Sequence, residues 1–108
     1  MGSTNNHSVM NKTKWEEIRM AMYNFPQTIR WRTKDINNDH ISDWDAEWFY
    51  HFQLGGYETI EWLEIEVNNE LVKSEILNIL RKIHVPGKVE DISIFIFGYQ
   101  TSSDINYI

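Results

Sequence analysis

A run of alternating aromatic and acidic residues between positions 43 and 67 constrains the fold more than any other part of this sequence. It holds three of the five tryptophans and lies inside the window 35–72, which contains ten acidic residues and no lysine or arginine. Large aromatic side chains need a core or a partner to cover them, whereas clustered carboxylates need solvent or cations. The sequence therefore predicts a half-buried, β-rich surface that carries negative charge.

Composition limits both the size of the core and the class of partner. The chain has 108 residues, of which 42% are hydrophobic, so we expect one core and a single domain. It contains no cysteine, which excludes disulfides and thiolate metal sites and is compatible with a reducing cytoplasm. The net charge of −6 argues against nucleic acid or an anionic membrane as a partner, and no apolar run is long enough to span a bilayer.

The amino-terminal region predicts a leader followed by a helix. Residues 1–9 look like a vector-derived leader, so we expect one domain that covers residues 10–108. Thr13 and Glu16 have the spacing of a capping box, and apolar residues follow at helical spacing. This pattern predicts an amphipathic helix over roughly residues 14–24.

Alternating apolar and polar residues predict four strands, and a periodic apolar run over 70–83 predicts a second helix. The strands are predicted at residues 28–34, 44–52, 58–67 and 92–99. A short helical turn over 43–47 is the alternative for the start of the second strand. Because a helical crossover favours parallel pairing, we expect the last strand to run parallel to the third. The predicted fold class is α+β, with an approximately four-stranded mixed sheet in the order α-β-β-β-α-β and two helices packed mainly on one face.

Four motifs carry a resemblance to a known family. They are Trp44-Asp45-x-Glu47-Trp48-Phe49-Tyr50-His51, Ile60-Glu61-Trp62-Leu63-Glu64-Ile65, Ile83-His84-Val85-Pro86 and Ile94-x-Ile96-x-Gly98-Tyr99. Together they resemble a family of small bacterial proteins known only as a domain of unknown function. The two tryptophan motifs, W-D-x-E-W and I-E-W-L-E-I, are the most specific part. The resemblance implies a bacterial origin and one compact domain, but it implies no activity, cofactor or catalytic residue.

The carboxylates and tryptophans together predict a binding surface for a basic protein. Like charges on neighbouring strands repel, whereas a concentrated field accelerates and orients the encounter with a cationic partner. The candidate binding residues are Asp43, Trp44, Asp45, Glu47, Trp48, His51, Glu61, Trp62 and Glu64. The opposing interpretation is that Arg30, Arg32 and Lys34 of the first strand lie beside these carboxylates and neutralise them.

Size and charge suggest a more specific hypothesis. Small acidic bacterial proteins of this length often resemble immunity proteins, which neutralise secreted toxins, although this analogy rests on no motif. In that hypothesis the carboxylates occupy phosphate positions on a cationic toxin and the tryptophans anchor the complex. The aromatic surface is alternatively a homodimer interface, or its rings simply close the core.

A different class of function is an enzyme or a small-ligand site that uses metal or carboxylate chemistry. Oxygen and imidazole ligands for a divalent metal are available from His40, Asp43, Asp45, Glu47 and His51. However, the sequence contains no nucleophile elbow, phosphate loop or zinc helix motif. We therefore expect a binding protein rather than an enzyme, with no metal and no cofactor.

Overall fold

The structure is a computed structural model that describes residues 7–101 and 105–108. Its strands are β1 (His7–Ser8), β2 (Trp31–Asp35), β3 (Ile60–Glu66), β4 (Gly87–Val89), β5 (Ser93–Phe97) and β6 (Tyr99–Gln100). Its helices are α1 (Lys12–Tyr23) and α2 (Glu70–Ile83), with a short 3-10 helix at His51–Gln53. The predicted α+β class, with two helices and a four-stranded sheet, is confirmed.

The main sheet has the strand order β2-β3-β5-β4, and each neighbouring pair is antiparallel. The prediction that the last long strand runs parallel to β3 is therefore wrong. The helical crossover through α2 leads into the short strand β4, which does run in the direction of β3. β5 then turns back as a hairpin and lies between β4 and β3, so it is antiparallel to both.

The strand predicted over residues 44–52 is absent, because the chain there forms turns and the 3-10 helix. One residue of this segment, Asp45, forms a bridge with Trp31 of β2. The side chains of Asp45 and Glu47 accept hydrogen bonds from backbone amides two to four residues further along. Such local bonds compete with a strand ladder and stabilise turns instead.

The core lies between one face of the sheet and the two helices. Leu63 and Ile65 of β3 pair with Ile96 and Ile94 of β5, and all four side chains are completely buried. The same buried cluster contains Ile18 from α1, and Ile76 and Leu80 from α2. The helices therefore cover this face of the sheet and leave the opposite face to other groups.

Both helices begin at asparagine N-caps. The Asn69 side chain accepts hydrogen bonds from the first turn of α2, which has the predicted bounds of 70–83. α1 begins after Asn11, whose Oδ1 accepts from the Lys14 amide at 2.8 Å. The capping box predicted for Thr13 and Glu16 is therefore wrong, and the Glu16 carboxylate has other partners.

Both edges of the main sheet are covered by irregular segments. Asp45 exchanges two backbone hydrogen bonds of 2.8 Å with Trp31 along the outer side of β2. At the other edge, the Gly87 amide of β4 donates to the Asn106 carbonyl at 2.9 Å. Covered edges remove the unpaired backbone groups through which sheets aggregate.

Part of the predicted leader belongs to the described fold. His7–Ser8 pairs with Tyr99–Gln100 in a small antiparallel sheet. Residues 1–6 lie outside the described residues, and the vector origin of residues 1–9 stays a prediction. Within the described ranges, no helix is long and apolar enough to cross a membrane.

Candidate functional site

We call the sheet face opposite the helices the open face. It carries Arg30, Arg32, Lys34, Trp44, Glu61, Trp62, Glu64, Glu66, Lys88, Phe95 and Phe97. Among the described residues, both long helices lie on the other side of the sheet. Of the nine candidate binding residues, four lie on the open face: Trp44, Glu61, Trp62 and Glu64.

Glu64 is the most buried carboxylate of the open face, with 6% of its surface exposed. Its Oε1 accepts a 2.7 Å hydrogen bond from Arg32 Nε, and its Oε2 accepts a 2.6 Å hydrogen bond from Ser93 Oγ. A buried carboxylate needs such partners, because an unpaired charge out of water is strongly unfavourable. Glu64 therefore holds the sheet together and offers no free charge to a partner.

The other two glutamates of this face are paired as well. Arg30 donates two hydrogen bonds, of 2.8 and 2.6 Å, to the carboxylate of Glu66. These bonds hold the pKa of Glu66 below its ordinary value. Lys34 Nζ lies 3.4 Å from Glu61 Oε2. Arg30, Arg32 and Lys34 therefore neutralise the carboxylates of the open face, as the opposing interpretation of the sequence predicts.

The aromatic residues of the open face are only half buried. The Trp44 ring lies under two guanidinium groups, 5.2 Å from that of Arg30 and 4.5 Å from that of Arg32. Trp62 packs edge-to-face on Phe95, with 5.3 Å between ring centroids. Large rings and arginine are the side chains that protein interfaces favour.

Negative charge without a strong cationic partner is concentrated beside β2. We call residues 39–47 the acidic edge segment, which carries Asp39, Asp43, Asp45 and Glu47. Asp39 lies 3.5 Å from Lys34, which it shares with Glu61. In the described part of the chain, the other three acids form no ion pair with lysine or arginine. Asp43 is exposed to solvent.

Two acids of this segment also shape the turn that follows. Glu47 accepts hydrogen bonds from the amides of Phe49, Tyr50 and His51 at 2.7 to 3.1 Å, led by that of His51, and these lower its pKa. Partial burial alone would raise the pKa of Asp45. Hydrogen bonds from the Glu47 amide and from His51 Nδ1, each at 2.8 Å, outweigh it and lower that pKa. Both carboxylates therefore stay ionised at neutral pH.

Trp48 is placed in the core. Its side chain is 3% exposed, and its Nε1 donates a 2.9 Å hydrogen bond to the Ile29 carbonyl. Its ring packs on Trp31 and Phe52. Trp48 thus supports the acidic edge segment from below and is not available for contact with a partner.

The proposed metal ligands do not converge. Asp45 and His51 meet, but the carboxylate of Glu47 faces backbone amides instead. Within residues 7–101 and 105–108, no three histidine or acidic side chains lie close enough to hold a metal ion.

A family model matches residues 1–103 of the chain under the description "Family of unknown function (DUF6678)". The chain belongs to this family. The resemblance to a domain of unknown function is thereby confirmed, while the bacterial origin and the specificity of the two tryptophan motifs stay predictions. Neither a curated protein nor a solved structure matches the chain.

Sequence reasoning missed a second polar cluster in this DUF6678 protein. The carboxylate of Glu16 accepts two hydrogen bonds from Arg19, at 3.0 and 3.2 Å, and one from the Tyr57 hydroxyl. The Arg19 hydrogen bonds are the main cause of the lowered pKa of Glu16, and burial is the main cause of the raised pKa of Tyr57. Glu16 and Tyr57 are 41 residues apart. A helical pattern that assigned Glu16 to a cap gave no signal of this contact.

Proposed function

We propose that this chain is a protein-binding module that docks a basic protein through the open face and the acidic edge segment. The observation that carries the proposal is a sheet face with half-buried Trp44, Trp62 and Phe95 that no described helix covers. Tryptophan and arginine are the residues that most often dominate binding energy at interfaces. A sheet face of this composition is suited to contact with another protein.

The arginines of the open face are already held in position. Arg32 is fixed by Glu64 and stacked on Trp44, and Arg30 is fixed by Glu66 and stacked on the same ring. Side chains that are ordered before binding lose less conformational entropy when the partner arrives. The ion pairs of the open face therefore favour its use as a rigid docking surface.

The charge of the acidic edge segment favours a basic partner. Four carboxylates lie there against one shared lysine, and the net charge of the whole chain is −6. Such a field raises the association rate of a cationic protein and fixes its orientation, and added salt screens both effects. In this proposal the rings supply contact area and the acids supply steering.

The most specific form of the proposal is an immunity protein that covers a cationic toxin in a bacterial cytoplasm. Its support is the size and net charge of the chain together with the acidic edge segment. A second copy of the chain on the open face is the competing occupant, and the experiment below distinguishes the two.

The test is site-specific photo-crosslinking in the native host. A photoreactive residue replaces Trp62 on the open face, and a matched control replaces Leu71, which is 69% exposed on α2. We expect one basic protein to be captured from position 62 and not from position 71. Adducts that are the same at both positions, an acidic partner, or an adduct with twice the mass of the chain would contradict the proposal.

Capture is followed by binding measurements with the purified partner. Asp43→Lys reverses an exposed charge of the acidic edge segment, and Glu17→Lys makes the same change on the exposed surface of α1. We expect only Asp43→Lys to slow association and to reduce its dependence on salt. Equal effects of the two variants would show that net charge alone drives binding.

A further inference from the structure

A cavity of about 310 Å³ lies between the first turn of α1, the loop before β3 and the residues that follow β5. Its volume falls at the lower end of the range of small-molecule pockets, roughly 300–1,000 Å³. Residues from all three regions line it, among them Lys12, Trp15, Glu16, Tyr57, Glu58 and Tyr99. None of these belongs to the open face or to the acidic edge segment.

The aromatic walls of this cavity are fixed by hydrogen bonds. Trp15 and Tyr57 stack with 6.1 Å between ring centroids and 24° between ring planes. The Tyr57 hydroxyl donates to Glu16, and the Tyr99 hydroxyl donates to the Glu58 carbonyl at 2.6 Å. A ligand that enters the cavity therefore meets apolar surfaces that are already ordered.

Two opposite charges line the cavity without partners among the described residues. The charge of Glu16 is compensated mainly by Arg19, and Lys12 contributes a smaller electrostatic effect that also lowers the pKa of Glu16. Lys12 and Glu58 are both exposed, and in the described part of the chain neither forms an ion pair, with each other or with another residue. The cavity thus offers one ammonium group and one carboxylate that form no ion pair among the described residues.

The backbone at Gly56 allows Glu58 to point back towards the cavity. Gly56 has a φ of +82°, and a Cβ at this position would lie 2.5 Å from Glu58 Oε2. A side chain at position 56 would displace the Glu58 carboxylate, and the positive φ also favours glycine there. The loop therefore leaves room for the Glu58 charge beside the aromatic walls.

We propose that this cavity binds a small zwitterion, of which a free amino acid with an aromatic side chain is the simplest. The ligand carboxylate pairs with Lys12, its ammonium group pairs with Glu58, and its apolar body contacts the aromatic walls. A purely anionic ligand would be repelled by Glu58, and a purely cationic ligand would be repelled by Lys12. A zwitterion satisfies both charges with charge-assisted hydrogen bonds.

The test is a nuclear magnetic resonance titration of the isotope-labelled full chain with three related probes. L-Phenylalanine carries both charges, phenethylamine lacks the carboxylate, and 3-phenylpropionate lacks the ammonium group. We expect saturating chemical-shift changes at the amides of Gly56, Tyr57 and Gly98. Phenylalanine is expected to bind about tenfold more tightly than either analogue, because each analogue lacks one charge-assisted hydrogen bond and such a bond contributes about that factor in affinity.

Two variants assign the charges to their residues. We expect Lys12→Met to abolish the higher affinity for phenylalanine than for phenethylamine. We expect Glu58→Gln to abolish the higher affinity for phenylalanine than for 3-phenylpropionate. Lys82→Met, an exposed change in the last turn of α2 at a residue that does not line the cavity, is the control that leaves all three affinities unchanged. No saturation by phenylalanine, equal affinity for the three probes, or shifts that map to the acidic edge segment would each overturn the proposal.

Discussion

Removal of the Arg32 guanidinium tests whether ion pairs stabilise the open face, because Arg32 pairs with Glu64, the most buried carboxylate of that face. Arg32→Ala leaves the carboxylate of Glu64, 6% exposed, with the Ser93 hydroxyl as its remaining partner. Loss of one member of a buried ion pair costs about 3–5 kcal/mol. The Arg32 side chain is itself 35% exposed, so water partly replaces it, and we expect a loss of about 2 kcal/mol in the free energy of unfolding.

Urea denaturation followed by tryptophan fluorescence and circular dichroism measures this loss. The matched control is Arg30→Ala, because the Arg30 side chain is 48% exposed and pairs with a more accessible carboxylate. We expect a much smaller loss there, since exposed ion pairs contribute little. Adding Glu64→Gln to Arg32→Ala removes the unpaired charge and restores more than half of the stability. Equal losses for the two arginine variants, or no recovery in the double variant, would show that the Glu64 carboxylate does not depend on Arg32 for its burial.

Three further predictions concern the turn, the core and the Tyr57 hydrogen bond. The folded-state pKa values of Asp45, Glu47 and Glu66 are lowered, so the stability that these groups contribute is present above their unfolded pKa values of 3.8 and 4.5 and is lost as the pH falls through the folded values. We expect Glu47→Gln to lower stability at neutral pH and to make the loss of stability in acid shallower. Urea titrations from pH 7 to 2 measure this, and an unchanged pH profile would contradict it. Gly98→Ala creates a Cβ 2.0 Å from the Ile60 carbonyl oxygen, and we expect it to lower the free energy of unfolding by about 3 kcal/mol. Gly55→Ala has open space around its Cβ but a φ of +80°, so we expect a loss of about 1 kcal/mol. Thermal denaturation measures both variants, and similar losses would be inconsistent with the tight approach at Gly98. Tyr57→Phe removes the hydrogen bond to the Glu16 carboxylate, and we expect it to lower the free energy of unfolding by about 1.5 kcal/mol. Because burial raises the folded pKa of Tyr57, wild-type stability falls as the pH rises above the unfolded pKa of 10.0. We expect the variant to lose this alkaline dependence.

The sequence predicted α2 and the long strands well because their signals are local. Asn69 caps α2, its apolar stripe has helical spacing, and Pro86 follows its end. The parallel pairing was predicted wrongly because Gly87–Val89 is too short to give an alternating pattern. Without that strand, the hairpin that reverses the direction of β5 was not visible.

The error at residues 44–52 explains why the sequence left open whether the open-face carboxylates are neutralised. A strand there would have separated β2 from β3 and kept Arg32 away from Glu64. In the structure β2 pairs directly with β3, and Arg32 lies opposite Glu64 in the register. The pairing of the open-face carboxylates with cations is thus a consequence of strand order, which a local pattern of residues does not determine.

The affinity of the cross-linked partner for Trp62→Ala shows whether the open face binds that partner. Calorimetry compares Trp62→Ala with the wild type, with the exposed α2 variant Leu71→Ala, and with Asp43→Lys and Glu17→Lys. We expect Trp62→Ala to lose affinity about 30-fold, the size of an interface hot spot. We expect no change for Leu71→Ala and a weaker salt dependence for Asp43→Lys alone. Wild-type affinity in Trp62→Ala, with an unchanged salt dependence in Asp43→Lys, would contradict the claim that this sheet face and its acidic edge bind the partner.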